Sequence, residues 1–177
     1  MPRLFTGLQL PEDVAARLAA LRGGLPGARW IDPADYHVTL RFIGDVEPHV
    51  ADDVLDALEA STAPPLPVDF EGLGAFGGDR PHAVIARVKL SETLADMQAE
   101  QERRLRRLGL AAELRKYAPH VTLARLNHGH APDVAAYLAL HGAKALPGFL
   151  AQSWALFSAR ASTGGGPYAV EATFPLR

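Results

Sequence analysis

The sequence predicts an α+β fold made of two similar lobes that meet around a pseudo-twofold axis. Three observations support this prediction. The tetrapeptide His-Val-Thr-Leu occurs at residues 37–40 and returns at residues 120–123, 83 positions later. Short apolar runs typical of strands alternate along the chain with amphipathic stretches typical of helices. The 177 residues, 48% of them hydrophobic, are enough to bury a substantial core.

Both halves of the chain follow the same order of predicted elements. Each begins with a strand and an amphipathic helix, continues with the His-Thr strand and a second helix, and ends with two strands joined by a turn rich in Gly or Pro. Proline-rich segments at 64–67 and 146–148 end the second helices. The predicted helices are Glu12–Leu21, Pro48–Ala60, Thr93–Leu108 and Pro132–Leu140. Besides the motif strands, the predicted strands and turns include Arg3–Leu10, Leu73–Phe76, Gly77–Pro81, Ala83–Leu90, Trp154–Phe157, Ala161–Pro167 and Tyr168–Leu176.

Composition and charge exclude several classes of protein. The formal net charge is -2, which argues against a protein that coats long nucleic acid with a basic face. The chain has no cysteine, so disulfides, thiolate metal sites and cysteine nucleophiles are excluded. No run approaches the roughly 20 apolar residues that cross a bilayer, and the first ten residues lack a signal-peptide pattern. We therefore expect a cytoplasmic protein, monomeric, with no membrane association and no implied protein partner.

The repeated motif places an imidazole and a hydroxyl on one face of each strand. Side chains alternate along a strand, so His37 and Thr39 share a face, as do His120 and Thr122, while the apolar residues face the other way. A single such motif is more often structural. Two copies of His-x-Thr-Leu, however, arise by chance in only about one per thousand chains of this composition. Two imidazoles that titrate near neutrality suit general acid and base catalysis, such as the opening of a cyclic phosphodiester.

An arginine near these strands is expected to bind the phosphate. Arg125 lies five positions after His120, an odd spacing that a bulge or turn must correct before the side chain faces inward. Arg41 is the other candidate, because simple alternation puts it on the face of His37 and Thr39. A guanidinium fork can bind two phosphate oxygens in a way that lysine cannot.

These residues resemble the two-histidine phosphoesterase superfamily, in particular the RNA 2′,3′-cyclic phosphodiesterases, also called LigT-like proteins or 2′-5′ RNA ligases. The likeness spans essentially the whole chain. It includes Arg3-Leu4-Phe5, Trp30, the run from Leu40 to Gly44, the run from Pro119 to Arg125, and the closing segment from Tyr168 to Leu176.

The resemblance implies a bilobal fold in which antiparallel sheets line a cleft and helices pack outside, with residues 1–177 forming one domain of two interleaved halves. It implies hydrolysis of a 2′,3′-cyclic phosphate on RNA or a small cyclic nucleotide to a 2′-phosphate, with no metal or cofactor, and reversible 2′-5′ ligation. By matching positions, His37 is the general acid and His120 the general base; Thr39, Thr122 and Arg125 hold the phosphate, and Phe76 stacks on the terminal base.

Several alternatives stay open at this point. Phe76 lies in an apolar run where core packing is an equally good account, and a twofold-symmetric site can run its acid and base in either direction. Basic residues between Arg103 and Lys116 form either a solvated helix face or a surface that follows RNA. An alternative within enzymes is a phosphodiesterase whose substrate is another small cyclic phosphate or a 2′-5′ oligonucleotide. An alternative of a different class is a protein that binds RNA ends without catalysis.

Overall fold

Strands and helices alternate along the whole chain. The computed structural model describes residues 2–159 and 166–177. Its strands are β1 (Arg3–Gln9), β2 (Ala28–Trp30), β3 (His37–Asp45), β4 (Leu66–Val68), β5 (Phe70–Phe76), β6 (Ala83–Val88), β7 (His120–Leu126), β8 (Phe149–Ala151), β9 (Ser153–Ala159) and β10 (Tyr168–Pro175). Its α-helices are α1 (Glu12–Ala19), α2 (Pro48–Glu59), α3 (Glu92–Arg107) and α4 (Ala131–His141), and a short 3-10 helix spans Pro33–Asp35.

The two strands that carry the repeated motif are neighbours at the centre of the larger of two antiparallel sheets. This eight-stranded sheet has the order β10-β9-β1-β3-β7-β6-β5, with β2 beside β7, and β4 and β8 form a separate two-stranded sheet. Among the described residues, β3 and β7 pair through Val38 and Val121 alone, and β2 pairs with the far end of β7. The halves of the sequence are interleaved, because β5 pairs with β6 while β9 and β10 extend the sheet of β1. The predicted α+β fold with two antiparallel sheets is thus confirmed.

One continuous core holds the helices against the sheets. All four helices contribute buried side chains, among them Leu18, Leu58, Leu105 and Tyr137. The motif strands contribute the apolar residues that alternate with the polar ones, and Val38, Leu40, Val121 and Leu123 are all at most 2% exposed. Burial of each such side chain contributes roughly 1.5 to 3 kcal/mol. The motif strands are therefore fixed from behind, which holds their polar residues in place at the front.

Helix ends follow from the residues that stand there. The Ser91 hydroxyl caps α3 by accepting from the Leu94 amide at 3.1 Å, and three arginines in the last turn complement the helix dipole. Proline in the first turn begins α2 and α4. Each predicted helix is observed with ends that move by one or two residues. None of the helices in residues 2–159 and 166–177 has the length and apolar character of a membrane span.

The two predicted turns have different outcomes. The turn at Gly77–Pro81 joins β5 to β6 as a hairpin, in which the Arg80 amide donates to the Gly77 carbonyl at 3.0 Å. Gly77 has a φ of 110°, which glycine adopts without the strain that a side chain brings. In the turn predicted at Ala161–Pro167, residues 161–165 lie outside the described residues.

Candidate active site

His37 is held between backbone and aromatic rings at the start of β3. Its Nδ1 lies 2.9 Å from the Asp35 carbonyl oxygen, and its Nε2 lies 3.0 Å from the Thr39 hydroxyl. Phe5, Phe157 and Tyr168 surround the ring, with centroids 4.8, 5.6 and 5.1 Å away. This packing fixes the plane of the imidazole.

His120 occupies the equivalent place at the start of β7. Its Nδ1 lies 2.7 Å from the Ala118 carbonyl oxygen, so both histidines bond the carbonyl two residues earlier. A carbonyl can only accept, hence Nδ1 carries the proton in each ring and Nε2 is the basic nitrogen of the neutral form. In His37 that nitrogen accepts from the Thr39 hydroxyl. Both histidines thus present Nε2 for proton transfer.

A central cleft of about 220 Å³ contains both motifs. Five predicted site residues line it, namely His37, Thr39, His120, Thr122 and Arg125. The pairing of Val38 with Val121 explains their proximity, since one further step in this antiparallel register puts His37 opposite Thr122 and Thr39 opposite His120. The imidazoles and hydroxyls of both motifs therefore line the same cleft.

A bulge in β7 brings Arg125 into the central cleft. Ile85 pairs with Thr122 but the adjacent Val84 pairs with Ala124, so Leu123 is an extra residue in β7. This extra residue reverses the alternation, and Arg125 then shares the face of His120 and Thr122. Its Nε is buried and has no hydrogen-bond partner among the described residues. A buried, unpaired donor of this kind is costly unless a ligand satisfies it, and an anion is the ligand that suits a guanidinium.

The prediction that Arg41 faces the cleft is wrong. β3 has the equivalent bulge at Leu40, because Gly7 pairs with Thr39 while Thr6 pairs with Arg41. Arg41 is therefore turned away and 6% exposed, and its guanidinium donates to Glu102 and to the carbonyls of Phe42 and Ala111. The position equivalent to Arg125 holds Phe42, which lines the cleft. Of these two equivalent positions, the one after the β7 bulge places an arginine in the cleft, and the one after the β3 bulge places a phenylalanine there.

Phe76 lies beside His120 in a second space, which we call the flanking cavity. The two rings meet edge to face with centroids 4.7 Å apart. The flanking cavity has a volume of about 440 Å³ and shares Thr39, Phe42 and His120 with the central cleft. Phe157, the equivalent residue in the second half, is 5% exposed and stacks on Phe5 at 4.9 Å. The two aromatic positions therefore differ: Phe157 is buried against Phe5, whereas Phe76 is partly exposed beside His120.

Sequence reasoning missed two residues that shape the site. Tyr168 lines the cleft and meets the His37 ring edge to face at 5.1 Å. Asp35 provides the carbonyl for His37, and its carboxylate accepts from the Tyr168 amide at 3.2 Å. Alignment of the internal repeat offered a signal for Tyr168, because the dipeptide Pro167-Tyr168 answers Pro81-His82 beside Phe76.

Burial lowers the pKa of both catalytic candidates. The pKa of His37 falls from 6.5 to about 4, mainly because burial disfavours the charged ring, with smaller contributions from the positive charges of His120 and Arg125. The hydrogen bond to Asp35 opposes this shift. The pKa of His120 is lowered as well, again chiefly by burial. These shifts favour the neutral form of both rings, whereas a bound phosphate anion favours the imidazolium form.

Acid is expected to destabilise the protein through His37. Between pH 6.5 and about 4 the unfolded state binds a proton that the folded state excludes, so the free energy of unfolding falls as pH falls. From pH 7 to pH 5 this amounts to about 2 kcal/mol. Urea denaturation of the wild type and the His37→Gln variant at both pH values measures it. An equal loss in the two proteins would contradict the assignment.

Gly7 allows β1 to approach the motif strand closely. A Cβ at this position would lie 2.8 Å from the Val38 carbonyl oxygen and 3.5 Å from Cδ2 of His37. We expect Gly7→Ala to lower the free energy of unfolding by about 1 to 3 kcal/mol, because overpacking forces the backbone or the imidazole to move. Urea denaturation tests this expectation. An unchanged unfolding midpoint would show that β1 and β3 accommodate the added methyl group without strain.

Comparison with known proteins agrees with this geometry. The family model described as LigT like Phosphoesterase matches the chain twice, at residues 8–86 and 87–168. An RNA 2′,3′-cyclic phosphodiesterase of Aeropyrum pernix is 35% identical over 120 residues, which cover 64% of this chain and 68% of the relative. One from Geobacillus stearothermophilus is 34% identical over 135 residues, 72% of this chain, and the match spans only 43% of that longer relative.

Solved structures show the same fold. E. coli LigT complexed with 3′-AMP superimposes with a TM-score of 0.79 at 17% identity, covering 99% of both chains. TT0787 of Thermus thermophilus gives a TM-score of 0.77 at 23% identity, covering 99% of this chain and 98% of the other. Because the family model covers both sequence halves, the resemblance predicted from the two His-Thr strands is confirmed, and the chain belongs to the LigT-like phosphoesterase family.

Proposed function

We propose that this phosphoesterase hydrolyses 2′,3′-cyclic phosphates at RNA or nucleotide ends to 2′-phosphates. The observation that carries the proposal is the presence of His37 and His120 in one cleft with Arg125. Each histidine has its Nδ1 fixed by a carbonyl, and the Arg125 Nε has no partner among the residues that the structure describes. The names of the sequence relatives support the choice of substrate. The groups required for acid and base catalysis and for anion binding are all side chains of this protein.

The chemistry assigns a separate task to each histidine. Nε2 of His120 takes a proton from water as the water oxygen bonds to phosphorus. His37, as the imidazolium that the bound phosphate anion favours, gives its Nε2 proton to the departing 3′-oxygen and returns to the neutral form. The bond from phosphorus to the 3′-oxygen breaks, so the phosphate stays on the 2′-oxygen. His120 is the less deeply buried of the two, which supports its role as the base that meets water.

The remaining site residues hold the phosphate and the base. Arg125 donates to the non-bridging oxygens, where negative charge accumulates as water attacks. The Thr122 hydroxyl donates from one motif strand, and the Thr39 hydroxyl can donate from the other once Nε2 of His37 carries a proton. Phe76 stacks on the terminal base, a contact that tolerates any base because each has a flat face. Its position beside His120 at the open flanking cavity supports this role.

The same groups can join RNA ends. If a 5′-hydroxyl replaces water as the nucleophile, His120 deprotonates it, His37 protonates the 3′-oxygen, and a 2′-5′ linkage forms. Incubation of a cyclic-phosphate RNA with a 5′-hydroxyl RNA, followed by gel separation, detects such products. The absence of a joined product at high RNA concentration would restrict the proposal to hydrolysis.

A turnover assay tests the proposed function directly. Adenosine 2′,3′-cyclic monophosphate and a short RNA that ends in a 2′,3′-cyclic phosphate are incubated with the protein and a chelator, and the products are separated by chromatography. We expect both to be opened. Loss of turnover on addition of chelator would contradict catalysis by side chains alone. Lack of turnover of both substrates would favour another small cyclic phosphate, a 2′-5′ oligonucleotide or a binding module.

A further inference from the structure

An irregular segment at residues 108–119, which we call the α3–β7 loop, forms one side of the flanking cavity. The charged residues Glu113, Arg115 and Lys116 of this loop line the cavity together with Phe76, His82 and His120. The loop connects the end of α3 to the first residue of β7, which is His120. Two adjacent cations are thus placed next to the space where the terminal nucleoside is proposed to bind.

Three interactions fix the α3–β7 loop against the motif strand. The guanidinium of Arg41 donates to the Ala111 carbonyl at 2.5 Å, and its ion-pair partner Glu102 accepts from the Glu113 amide at 3.1 Å. Beyond the cations, the Tyr117 hydroxyl donates to the Thr39 carbonyl at 2.8 Å. Arg115 and Lys116 therefore lie between two anchored points. Their position at the cavity is set by the fold, which lowers the entropy lost when they bind a ligand.

Both cations are available to an anion. The Arg115 side chain is 86% exposed, and its contact with Glu113 is a long one, 3.5 Å from Nε to the carboxylate oxygen. Lys116 is exposed and has no ion pair within residues 2–159 and 166–177. Exposed charges of this kind contribute little to folding stability, so ligand binding accounts for these two residues better than a structural role does.

The corresponding cavity in the other lobe has no basic residue among its described lining residues. Phe157 and Tyr168 line it, as Phe76 and His82 line the flanking cavity, and its volume is about 680 Å³. Its charged lining residues within the described chain are the acids Glu12 and Asp35, with no lysine or arginine. A polyanion is therefore directed to one side of the central cleft, the side of His120.

We propose that Arg115 and Lys116 bind the phosphate on the 5′ side of the terminal nucleotide, so that the enzyme prefers RNA ends over free cyclic nucleosides. This inference rests on the proposed function. The cyclic phosphate occupies the central cleft at Arg125, the nucleoside lies along Phe76, and the next phosphate of the chain reaches the α3–β7 loop. Arg115 and Lys116 bind a single phosphate and do not form an extended basic surface, which agrees with the chain's net charge of -2.

A minimal pair of substrates tests the proposal. Steady-state kinetics are measured for adenosine 2′,3′-cyclic phosphate with and without a 5′-phosphate, and for a dinucleotide with the same cyclic end. In the double variant Arg115→Ala/Lys116→Ala, we expect KM to rise about tenfold for the two substrates that carry the extra phosphate. Their kcat should be unchanged, and the cyclic nucleoside should respond less than about twofold. The salt dependence of kcat/KM for the dinucleotide should also weaken, because fewer charge contacts remain to be screened.

The matched control is Arg106→Ala/Arg107→Ala, which removes two exposed cations at the end of α3 that do not line the flanking cavity. It should leave all three substrates unaffected. Equal effects of the two double variants, equal effects on substrates with and without the 5′-phosphate, or no effect would each overturn the proposal. Failure of the wild type to open any of the substrates would instead overturn the proposed function.

Discussion

Replacing His120 or His37 with alanine is expected to lower kcat by about 10²- to 10⁴-fold for a 2′,3′-cyclic phosphate, with little change in KM. Each variant removes one proton transfer and leaves the phosphate contacts of Arg125 intact. Because acid and base act in the same step, the double variant should lose much less than the product of the two single losses. Single-turnover kinetics with purified, folded variants measure these effects.

His49→Ala is the control for this prediction, since His49 is an exposed residue of α2 that lines neither the central cleft nor the flanking cavity. Circular dichroism must show that all variants are folded. Near-normal kcat in folded His37→Ala or His120→Ala would remove that histidine from the mechanism. In the wild type, kcat should follow a bell-shaped pH dependence. The acidic limb, which reports the base, should flatten in His120→Ala, and the alkaline limb, which reports the acid, should flatten in His37→Ala.

Arg125→Lys is expected to lower kcat/KM by about 10²- to 10³-fold, even though the positive charge is retained. The buried Nε, which lacks a partner within residues 2–159 and 166–177, belongs to a planar fork. An ammonium on a flexible chain cannot bind two phosphate oxygens in the same geometry. Arg125→Ala should be at least as impaired. Steady-state kinetics on the cyclic nucleoside, which lacks a 5′-phosphate, isolate this effect from any contribution of the α3–β7 loop.

Arg107→Lys serves as the control for Arg125→Lys, because Arg107 is exposed at the end of α3 and should tolerate the change. Activity of Arg125→Lys within about threefold of the wild type would show that charge alone suffices. The bulge at Leu123 would then have no functional consequence that requires arginine. If Arg125→Lys also bound inorganic phosphate as tightly as the wild type, this would likewise show that charge alone suffices.

The internal repeat made most of the fold predictable from the sequence. A polar pair that recurs on two strands, each followed by an amphipathic helix, predicted the elements and the meeting of the two histidines. Three short strands, β2, β4 and β8, were not predicted, because runs of three residues carry too little periodicity. The treatment of residues 1–177 as a single domain stays a prediction, as does a cytoplasmic location.

The orientation of the arginines depended on bulges that strict alternation does not reveal. The extra residue is Leu40 in β3 and Leu123 in β7, and both are apolar and buried. The repeat offered an indirect signal: Arg125 aligns with Phe42, while Arg41 aligns with Ala124, a buried residue of β7. That alignment would have excluded Arg41 from the cleft. The difference between Phe76 and Phe157 depends on tertiary packing around Phe5, which the sequence pattern does not contain.

Hydrolysis of adenosine 2′,3′-cyclic phosphate in water labelled with oxygen-18, followed by phosphorus NMR of the product, tests the central claim most directly. Attack of water on phosphorus with departure of the 3′-oxygen predicts adenosine 2′-phosphate that carries one labelled oxygen on phosphorus. The same experiment with His37→Ala and His120→Ala should give almost no product in the same time. A 3′-phosphate would contradict the assigned direction of the histidines, and unchanged cyclic phosphate with the wild type would contradict the proposed activity.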